Sequence, residues 1–218
     1  MNRRAVSLSA AERAVRDRTA SGVFPAGRQP VDAAEPVTRG FTLTGMQEAA
    51  IQLWKRDGLD EAVARLPVDT REATFEAPAL AAAWVAERHV VAWGHAIWEG
   101  PARRQRGAYE RFIDRQIDLS FGRIRRFMLS VVSPATLLEK APAIWREDHS
   151  HGDVATEVLG RNEGTWKLAN HAFTSTPQLR ASMAEVVRYC VSLTNARAVT
   201  AQHTLELGCI LVVRVRWE

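Results

Sequence analysis

The sequence predicts an α+β domain in which N-terminal helices are followed by a four-stranded antiparallel sheet, built as a hairpin, a helix and a second hairpin. Two observations carry this prediction. From Gly152 onward, two pairs of segments alternate apolar and polar residues with period two, and glycine-containing turns connect each pair. A helical segment separates the two pairs, and the chain before Gly152 has helical periodicity. This order indicates a sheet with one face covered by helices.

The strands and the helix between them follow from local patterns. We predict strands over 153–159 and 165–173 around a turn at 160–164, and strands over 198–207 and 209–217 around Gly208. Pro177 lies in the first turn of the intervening helix, where proline is favoured. The apolar stripe of that helix comprises Leu179, Met183, Val186, Val187 and Cys190.

Apolar residues at helical spacing predict five earlier helices, over 45–57, 59–66, 79–98, 102–132 and 135–147. Gly58 separates the first two, and Pro78 and Pro134 precede the third and the last. Residues 1–36 are rich in alanine, glycine and proline in their second half, which predicts an N-terminal extension with a flexible linker. Residues 37–218 then form a single α+β domain.

Composition excludes several classes of protein. The chain has 218 residues, 46% of them hydrophobic, and a net charge of +4. Its two cysteines form neither a disulfide framework nor a metal-ligand pattern. The apolar segment 79–98 is interrupted by Glu87, Arg88 and His89, which argues against a membrane span. No secretory signal is recognisable, so we expect a cytoplasmic protein.

Aromatic residues on the predicted helices provide a candidate apolar ligand pocket. They are joined by one histidine near the same stripe, and such a set could enclose a small ligand or fill an ordinary core. The candidate pocket residues are Trp84, Trp93, His95, Trp98, Phe112 and Phe127.

The turn 148–153 contains two carboxylates and two histidines, all of which are able to bind metals. Its candidate ligands are His149 and His151. A histidine pair with one intervening residue is a weak signal, however, and a solvated polar loop between a helix and a strand explains the segment better. We therefore predict no metal site, and keep a metal-dependent protein that uses this turn as an alternative.

Basic side chains on the helix 102–132 offer a second alternative, association with nucleic acid. Of the 29 basic residues in the chain 26 are arginine, a bias that also follows from a GC-rich genome. Acidic residues interrupt this helix face, so intrahelical ion pairs are the simpler interpretation. The candidate phosphate contacts are Arg104, Arg111, Arg115 and Arg126.

Several short motifs occur along the predicted domain: Arg39-Gly-Phe41, Gly58, Pro134-x-x-Leu137-Leu138, Gly164-x-Trp166-Lys-Leu168 and Val213-Arg-Val-Arg-Trp217. Together with the order of elements, which contributes most, they resemble an uncharacterised paralogous family best known from myxobacteria. The resemblance covers about residues 37–218. That family is distantly similar to heme/nitric-oxide-binding domains, to vinyl-reductase-type ligand-binding domains and to small subunits of transport-protein-particle tethering complexes.

The resemblance implies a non-enzymatic module that binds a small apolar or amphipathic molecule, or a partner protein, in bacterial signalling. Heme/nitric-oxide-binding domains carry a Tyr-x-Ser-x-Arg motif for the heme propionates. Neither tyrosine of this chain, Tyr109 or Tyr189, begins that pattern. We therefore expect no heme and no other cofactor.

The last strand also bears on assembly. Ile210 and Val212 give its second face an apolar first half, which is unfavourable in water. A helix or another subunit should therefore cover this half, and we expect a homodimer.

Overall fold

The computed structural model describes residues 23–24, 35–76 and 81–218. Most of the predicted N-terminal extension lies outside these residues. The helices are α1 (Phe41–Val63), α2 (Val68–Arg71), which continues into a π-helical turn (Glu72–Glu76), α3 (Glu87–Glu99), α4 (Arg106–Ser130), α5 (Pro134–Asp148) and α6 (Pro177–Ser192). The strands are β1 (Val23–Phe24), β2 (Val37–Arg39), β3 (Trp84–Ala86), β4 (Asp153–Gly160), β5 (Glu163–Ala169), β6 (Thr200–Glu206) and β7 (Ile210–Arg216).

The predicted four-stranded antiparallel sheet is confirmed, with the strand order β4-β5-β7-β6. The two hairpins join through β5 and β7, where Trp166 lies opposite Val213. The same Val213 lies opposite His203 on β6. Alternation along β7 buries Leu211, Val213 and Val215 completely on one face, against which α5 and α6 pack. The period-two pattern therefore identified the face that is buried.

The predicted helix over 79–98 is wrong in its first part. Trp84, Val85 and Ala86 form a strand that pairs with β2 on one side and with β1 on the other. Helix α3 begins only at Glu87, whose backbone N–H donates to the carbonyl oxygen of Pro36 at 2.8 Å. Pairing with distant residues therefore overrides the helix propensity of an alanine-rich segment. It also adds a small sheet, and β1 lies in the predicted linker.

Helix α1 consists of two helical segments, as predicted, but the break between them is at Lys55 and not at Gly58. Lys55 has a φ of 63° and a ψ of -163°, which are not helical. Gly58 lies inside the helix, where a Cβ atom would come within 2.2 Å of the Trp54 Cβ. The glycine therefore permits a close contact within the helix and does not end it.

The molecule has two hydrophobic cores. The first lies between α1, α3 and α4 and includes Met46, Trp93 and Phe112. The second lies between the four-stranded sheet, α5 and α6 and includes Trp145 and Trp166. The candidate functional site lies where the two cores meet.

The second face of β7 is covered within the chain. Strand β7 is flanked on both sides, and Val212 lies between Lys167 and Thr204 with only 7% of its surface exposed. Lys167 Nζ lies 3.9 Å from Glu206 Oε2 on β6, so the lysine side chain extends across β7. Long basic side chains often cover apolar surface in this way. Cover at Val212 therefore comes from the same chain, and the homodimer stays a prediction.

Candidate functional site

A cavity of about 510 Å³ lies between α3, α4 and α6 on one side and α5 and the sheet on the other. Its volume falls in the range of about 300–1,000 Å³ that is typical of small-molecule sites. Most of its wall is apolar and includes Met46, Val90, Ile113, Ile117, Phe121, Leu137, Ile144, Met183, Val186 and Val187. Three polar side chains that contact one another also line it: Glu87, His149 and His171.

Glu87 forms the centre of this polar cluster. The short strand β3 delivers it to the start of α3, and 5% of its side chain is exposed. Its Oε1 lies 2.5 Å from His149 Nδ1, and its Oε2 lies 2.6 Å from His171 Nε2. Both carboxylate oxygens therefore face a ring nitrogen.

Three distant segments place the histidines. His149 directly follows α5 and forms an isolated antiparallel bridge with Thr38, and the next residue, Ser150, donates its N–H to the Val37 carbonyl oxygen at 2.9 Å. His171 follows β5, and its side chain is 2% exposed. The small sheet thus aligns the end of α5 with the start of α3.

Trp145 fixes the orientation of both imidazole rings. Its ring stacks on that of His149 with centroids 3.7 Å apart and planes 3° apart, and it meets His171 edge-on at 5.8 Å. Its indole Nε1–H donates to the backbone carbonyl oxygen of His151 at 2.9 Å. The indole is therefore held by a hydrogen bond and in turn restricts the histidines.

The electrostatics of the cluster favour an ionised carboxylate. Burial alone would raise the pKa of Glu87, but the ring nitrogens of His149 and His171, which face its two oxygens, outweigh this effect and lower the pKa to about 2. A buried carboxylate that remains charged needs such donors. Glu87 is therefore an anion at neutral pH.

His171 has one incompletely bonded nitrogen. The backbone N–H of Phe173 approaches its Nδ1 at 3.4 Å, which makes Nδ1 the acceptor and assigns the ring proton to Nε2. That Nε2 is close to Glu87 Oε2, yet within the described part of the chain it makes no well-aligned hydrogen bond. A buried N–H that lies close to an acceptor without being aligned with it is unusual in a folded protein.

A second group of buried charges lies between α4 and α6. Arg188 Nη2 approaches Asp114 Oδ2 at 2.7 Å and Glu185 Oε1 at 2.6 Å. Burial and the hydrogen bond to Glu185 raise the pKa of Asp114 to about 7, against the lowering effect of Arg188. None of these three side chains lines the cavity.

The six pocket residues named from the sequence lie outside the cavity lining. Trp84, Trp93 and Phe112 are completely or almost completely buried. Trp98 packs edge-on against Tyr109, while His95 and Phe127 are exposed, Phe127 to 69%. Periodicity identified apolar helix faces, but it does not distinguish a filled core from a cavity wall.

The histidine turn also differs from a simple solvated loop. His149 points inward to Glu87, whereas the exposed His151 has its Nδ1 2.6 Å from Ser150 Oγ. Over residues 23–24, 35–76 and 81–218, no group of three or more histidine, cysteine or acidic side chains has the arrangement of a metal site. Direct contact between Glu87 and the two rings leaves no space for an ion between them.

Three of the four candidate nucleic-acid contacts form ion pairs with carboxylates. Arg104 pairs with Glu99 at 2.5 Å, and Arg115 and Arg126 both pair with Asp118, at 2.7 and 2.5 Å. Arg111 is exposed. The ion pairs agree with the simpler interpretation of this helix face.

Glu87 and His171 are the residues that the sequence analysis missed as site residues. One signal was present, since Glu87, Arg88 and His89 place three consecutive ionisable side chains within an otherwise apolar segment. Buried charges need partners, so this position could have prompted a search for donors. His171 carries no comparable signal in its local sequence.

Comparison with solved structures shows that the chain shares the fold of H-NOX domains. An H-NOX protein from K. algicida in the unliganded Fe(II) state matches with a TM-score of 0.57 and 7% identity, over 83% of this chain and 96% of the other. An oxygen-binding H-NOX domain related to soluble guanylate cyclases matches with a TM-score of 0.56 and 8% identity, over 83% and 95%. No protein-family model and no curated protein matches the sequence.

The expectation that heme does not bind is contradicted by these matches. It depended on the missing Tyr-x-Ser-x-Arg motif, whereas the matched fold includes a domain studied for its heme distortion, at a TM-score of 0.59 and 8% identity. A motif missing at such low identity does not exclude heme.

The expectation of no membrane span agrees with the structure, because no helix in the described residues is long and apolar enough to cross a bilayer.

Proposed function

We propose that this chain is a ligand-binding sensor module whose ligand occupies the cavity between its two cores. The cavity itself carries the proposal, because its wall is mostly apolar and a cluster of three polar side chains in contact through Glu87 lies on it. Binding sites commonly combine these two features. The fold shared with H-NOX domains supports a role in signalling.

The polar cluster favours binding over turnover. A general base works best when its pKa is near the working pH. The pKa of Glu87 is about 2, so this carboxylate is a weak base at neutral pH. Its two histidine partners and the Trp145 stack hold it rigidly, as a recognition group requires.

The structure also offers a route for exchange of the ligand. Met128 and Ile144 line the cavity and are 62% and 36% exposed. They lie on α4 and α5, so the gap between these helices connects the cavity to solvent. A flexible methionine at this position suits an adaptable entrance.

Native mass spectrometry of freshly purified protein and titration with the neutral dye Nile red test this proposal together. We expect a co-purifying small molecule, or dye binding that Val186→Trp weakens by filling the cavity. Val68→Trp is the matched control, because Val68 is exposed and does not line the cavity. A bare chain whose dye binding is equal in both variants would contradict the proposal.

Heme is a second candidate ligand, favoured by the arrangement around His149. A histidine that donates one ring N–H to a carboxylate is oriented for metal ligation through its other nitrogen. Glu87 and His149 have this arrangement at the cavity wall, so the residues present fit a heme held through His149. Heme, when bound, would supply an iron centre for a small gaseous ligand.

Titration with hemin, followed by the Soret band, tests this candidate. We expect the wild type and His151→Ala to develop a shifted band and His149→Ala to lose it. His151 is the matched control, because it is two residues away and bonds to Ser150. If none of the three proteins shifts the band, heme is rejected and the first proposal is unaffected.

A further inference from the structure

The hydrogen-bonding groups at the cavity wall define what a ligand must supply there. His171 Nε2–H is buried and, among the described residues, lacks a well-aligned acceptor. Each oxygen of Glu87 lies close to one ring nitrogen, and a carboxylate has about four acceptor positions. One donor and at least one acceptor are therefore available side by side.

Charge narrows the choice of ligand group. Glu87, Glu147 and Asp148 are the acidic residues among the described residues that line the cavity, and Lys140 is the lysine. A carboxylate on the ligand would face the Glu87 anion in a setting of low dielectric constant, where repulsion is strong. An ammonium group would suit Glu87, but it has no acceptor for the His171 N–H.

A hydroxyl group can serve both as the acceptor for the His171 N–H and as a donor to Glu87. It donates one hydrogen bond and accepts up to two, so it can donate to Glu87 and accept from His171 at the same time. The remainder of the ligand has to be predominantly apolar, because apolar side chains make up most of the remaining wall, with a few hydroxyl and amide groups such as those of Gln116 and Ser182 among them.

We infer that the cavity recognises a predominantly apolar alcohol or phenol, whose hydroxyl binds between Glu87 and His171. This inference depends on the proposed function of the cavity. It is tested separately from the heme candidate, which would be held through His149, although both ligands would occupy the same cavity beside Glu87.

Displacement of Nile red by four dodecyl compounds tests the inference at neutral pH. Dodecanol offers a donor and an acceptor, dodecyl methyl ether an acceptor only, dodecylamine a positive charge and dodecanoate a negative charge. We expect dodecanol to displace the dye at a roughly tenfold lower concentration than the ether, which lacks the hydrogen bond to the charged Glu87. We also expect dodecanol to act at a lower concentration than the amine, whose ammonium has no acceptor for the His171 N–H and is costly to remove from water. Dodecanoate should be the weakest.

Variants then locate the preference. Glu87→Gln removes the repulsion between the Glu87 carboxylate and the carboxylate of dodecanoate. We therefore expect the ratio of the displacing concentrations of dodecanoate and dodecanol to fall by roughly tenfold in this variant. His171→Phe removes the N–H that dodecanol accepts and the amine cannot, so the displacing concentrations of these two compounds should become more similar. If Glu87→Gln does not fold, the comparison of dodecanol with its methyl ether in the wild type still tests the Glu87 contact.

The possible failures are distinguishable. If Val186→Trp leaves displacement by every compound unchanged, the compounds bind elsewhere and the proposed function fails. If they compete in the cavity but the amine, the acid or the ether equals dodecanol, the inference is overturned and the proposed function stands.

Discussion

A buried and a half-buried carboxylate in this chain, Glu87 and Asp114, have opposite electrostatic behaviour. Glu87 lies between two imidazole rings, and its pKa falls to about 2. Asp114 is also shielded from water and touches Arg188, yet its pKa rises to about 7. Burial raises the pKa of both groups, so the difference comes from their partners.

The partners differ in number and in sign. Glu87 receives ring nitrogens on both oxygens and has no acidic neighbour in contact among the described residues. Asp114 shares one arginine with Glu185, which is 7% exposed, and two carboxylates with one cation favour retention of a proton. A guanidinium in contact is therefore not sufficient to keep a buried acid ionised.

The largest effect should come from removal of the Glu87 carboxylate. Glu87→Ala leaves two imidazole rings without their acceptor, and we expect the free energy of unfolding to fall by about 3–5 kcal/mol. Urea denaturation measures the change. Glu48→Ala is the control, because Glu48 is exposed on α1 and bonds only to Gln52 among the described residues. Equal losses in both variants would refute the central role of the cluster.

Acid should reveal the next largest effect. The folded-state pKa of Glu87 is lowered from 4.5 to about 2, so its contribution is complete above pH 4.5 and is lost as the pH falls toward 2. The loss should be on the order of 3 kcal/mol. Stability measured across this range should fall more steeply for the wild type than for Glu87→Gln, and parallel curves would contradict the shift.

Asp114 should show the opposite pH dependence. Its pKa is raised from 3.8 to about 7, so the folded state retains a proton that the unfolded chain has released. Stability should therefore decline by about 1 kcal/mol as the pH rises from about 4 to 7, a modest value because the carboxylate is partly hydrated. Asp114→Asn should flatten this limb of the curve. A variant with the full wild-type decline would show that another group titrates.

Trp145→Phe tests the support of the Glu87 cluster. Phenylalanine retains an aromatic surface against His149 but removes the bond from the indole N–H to His151. We expect a loss of about 1 kcal/mol in thermal unfolding. The loss of stability below pH 4.5 that is assigned to Glu87 should persist in this variant. Its disappearance would mean that the indole itself lowers the pKa of Glu87.

The smallest effect should come from a surface ion pair. Arg104 pairs with Glu99, but 70% of the arginine side chain is exposed. We expect Arg104→Gln to change the free energy of unfolding by less than about 1 kcal/mol. A loss comparable to that in Glu87→Ala would remove the contrast between buried and exposed charges.

Regular patterns within one element were sufficient to predict much of the fold. The long amphipathic stripe predicted a helix over 102–132, and α4 covers Arg106–Ser130. Period-two alternation predicted strands over 198–207 and 209–217, and these contain β6 and β7. Such patterns are informative because they record which side of a single element is buried.

Such local patterns do not predict which distant segments pair with each other. Strand β3 has three residues, too few for periodicity, and it forms because β1 and β2 pair with it. The Glu87–His149 contact spans 62 positions in the sequence. The cavity wall likewise combines residues from five helices and the sheet, so no local stripe could define it.

The sequence by itself determined the order of helices and strands, the antiparallel sheet and the face of that sheet that is buried. The tertiary structure decided which charged groups meet, and thereby why Glu87 is an anion at the cavity wall while Asp114 tends to keep its proton. The physical reason is that the two properties depend on residues at different separations along the chain. Burial of an element's face follows from spacing along the chain, whereas a pKa depends on atoms within a few ångströms that packing brings from remote positions.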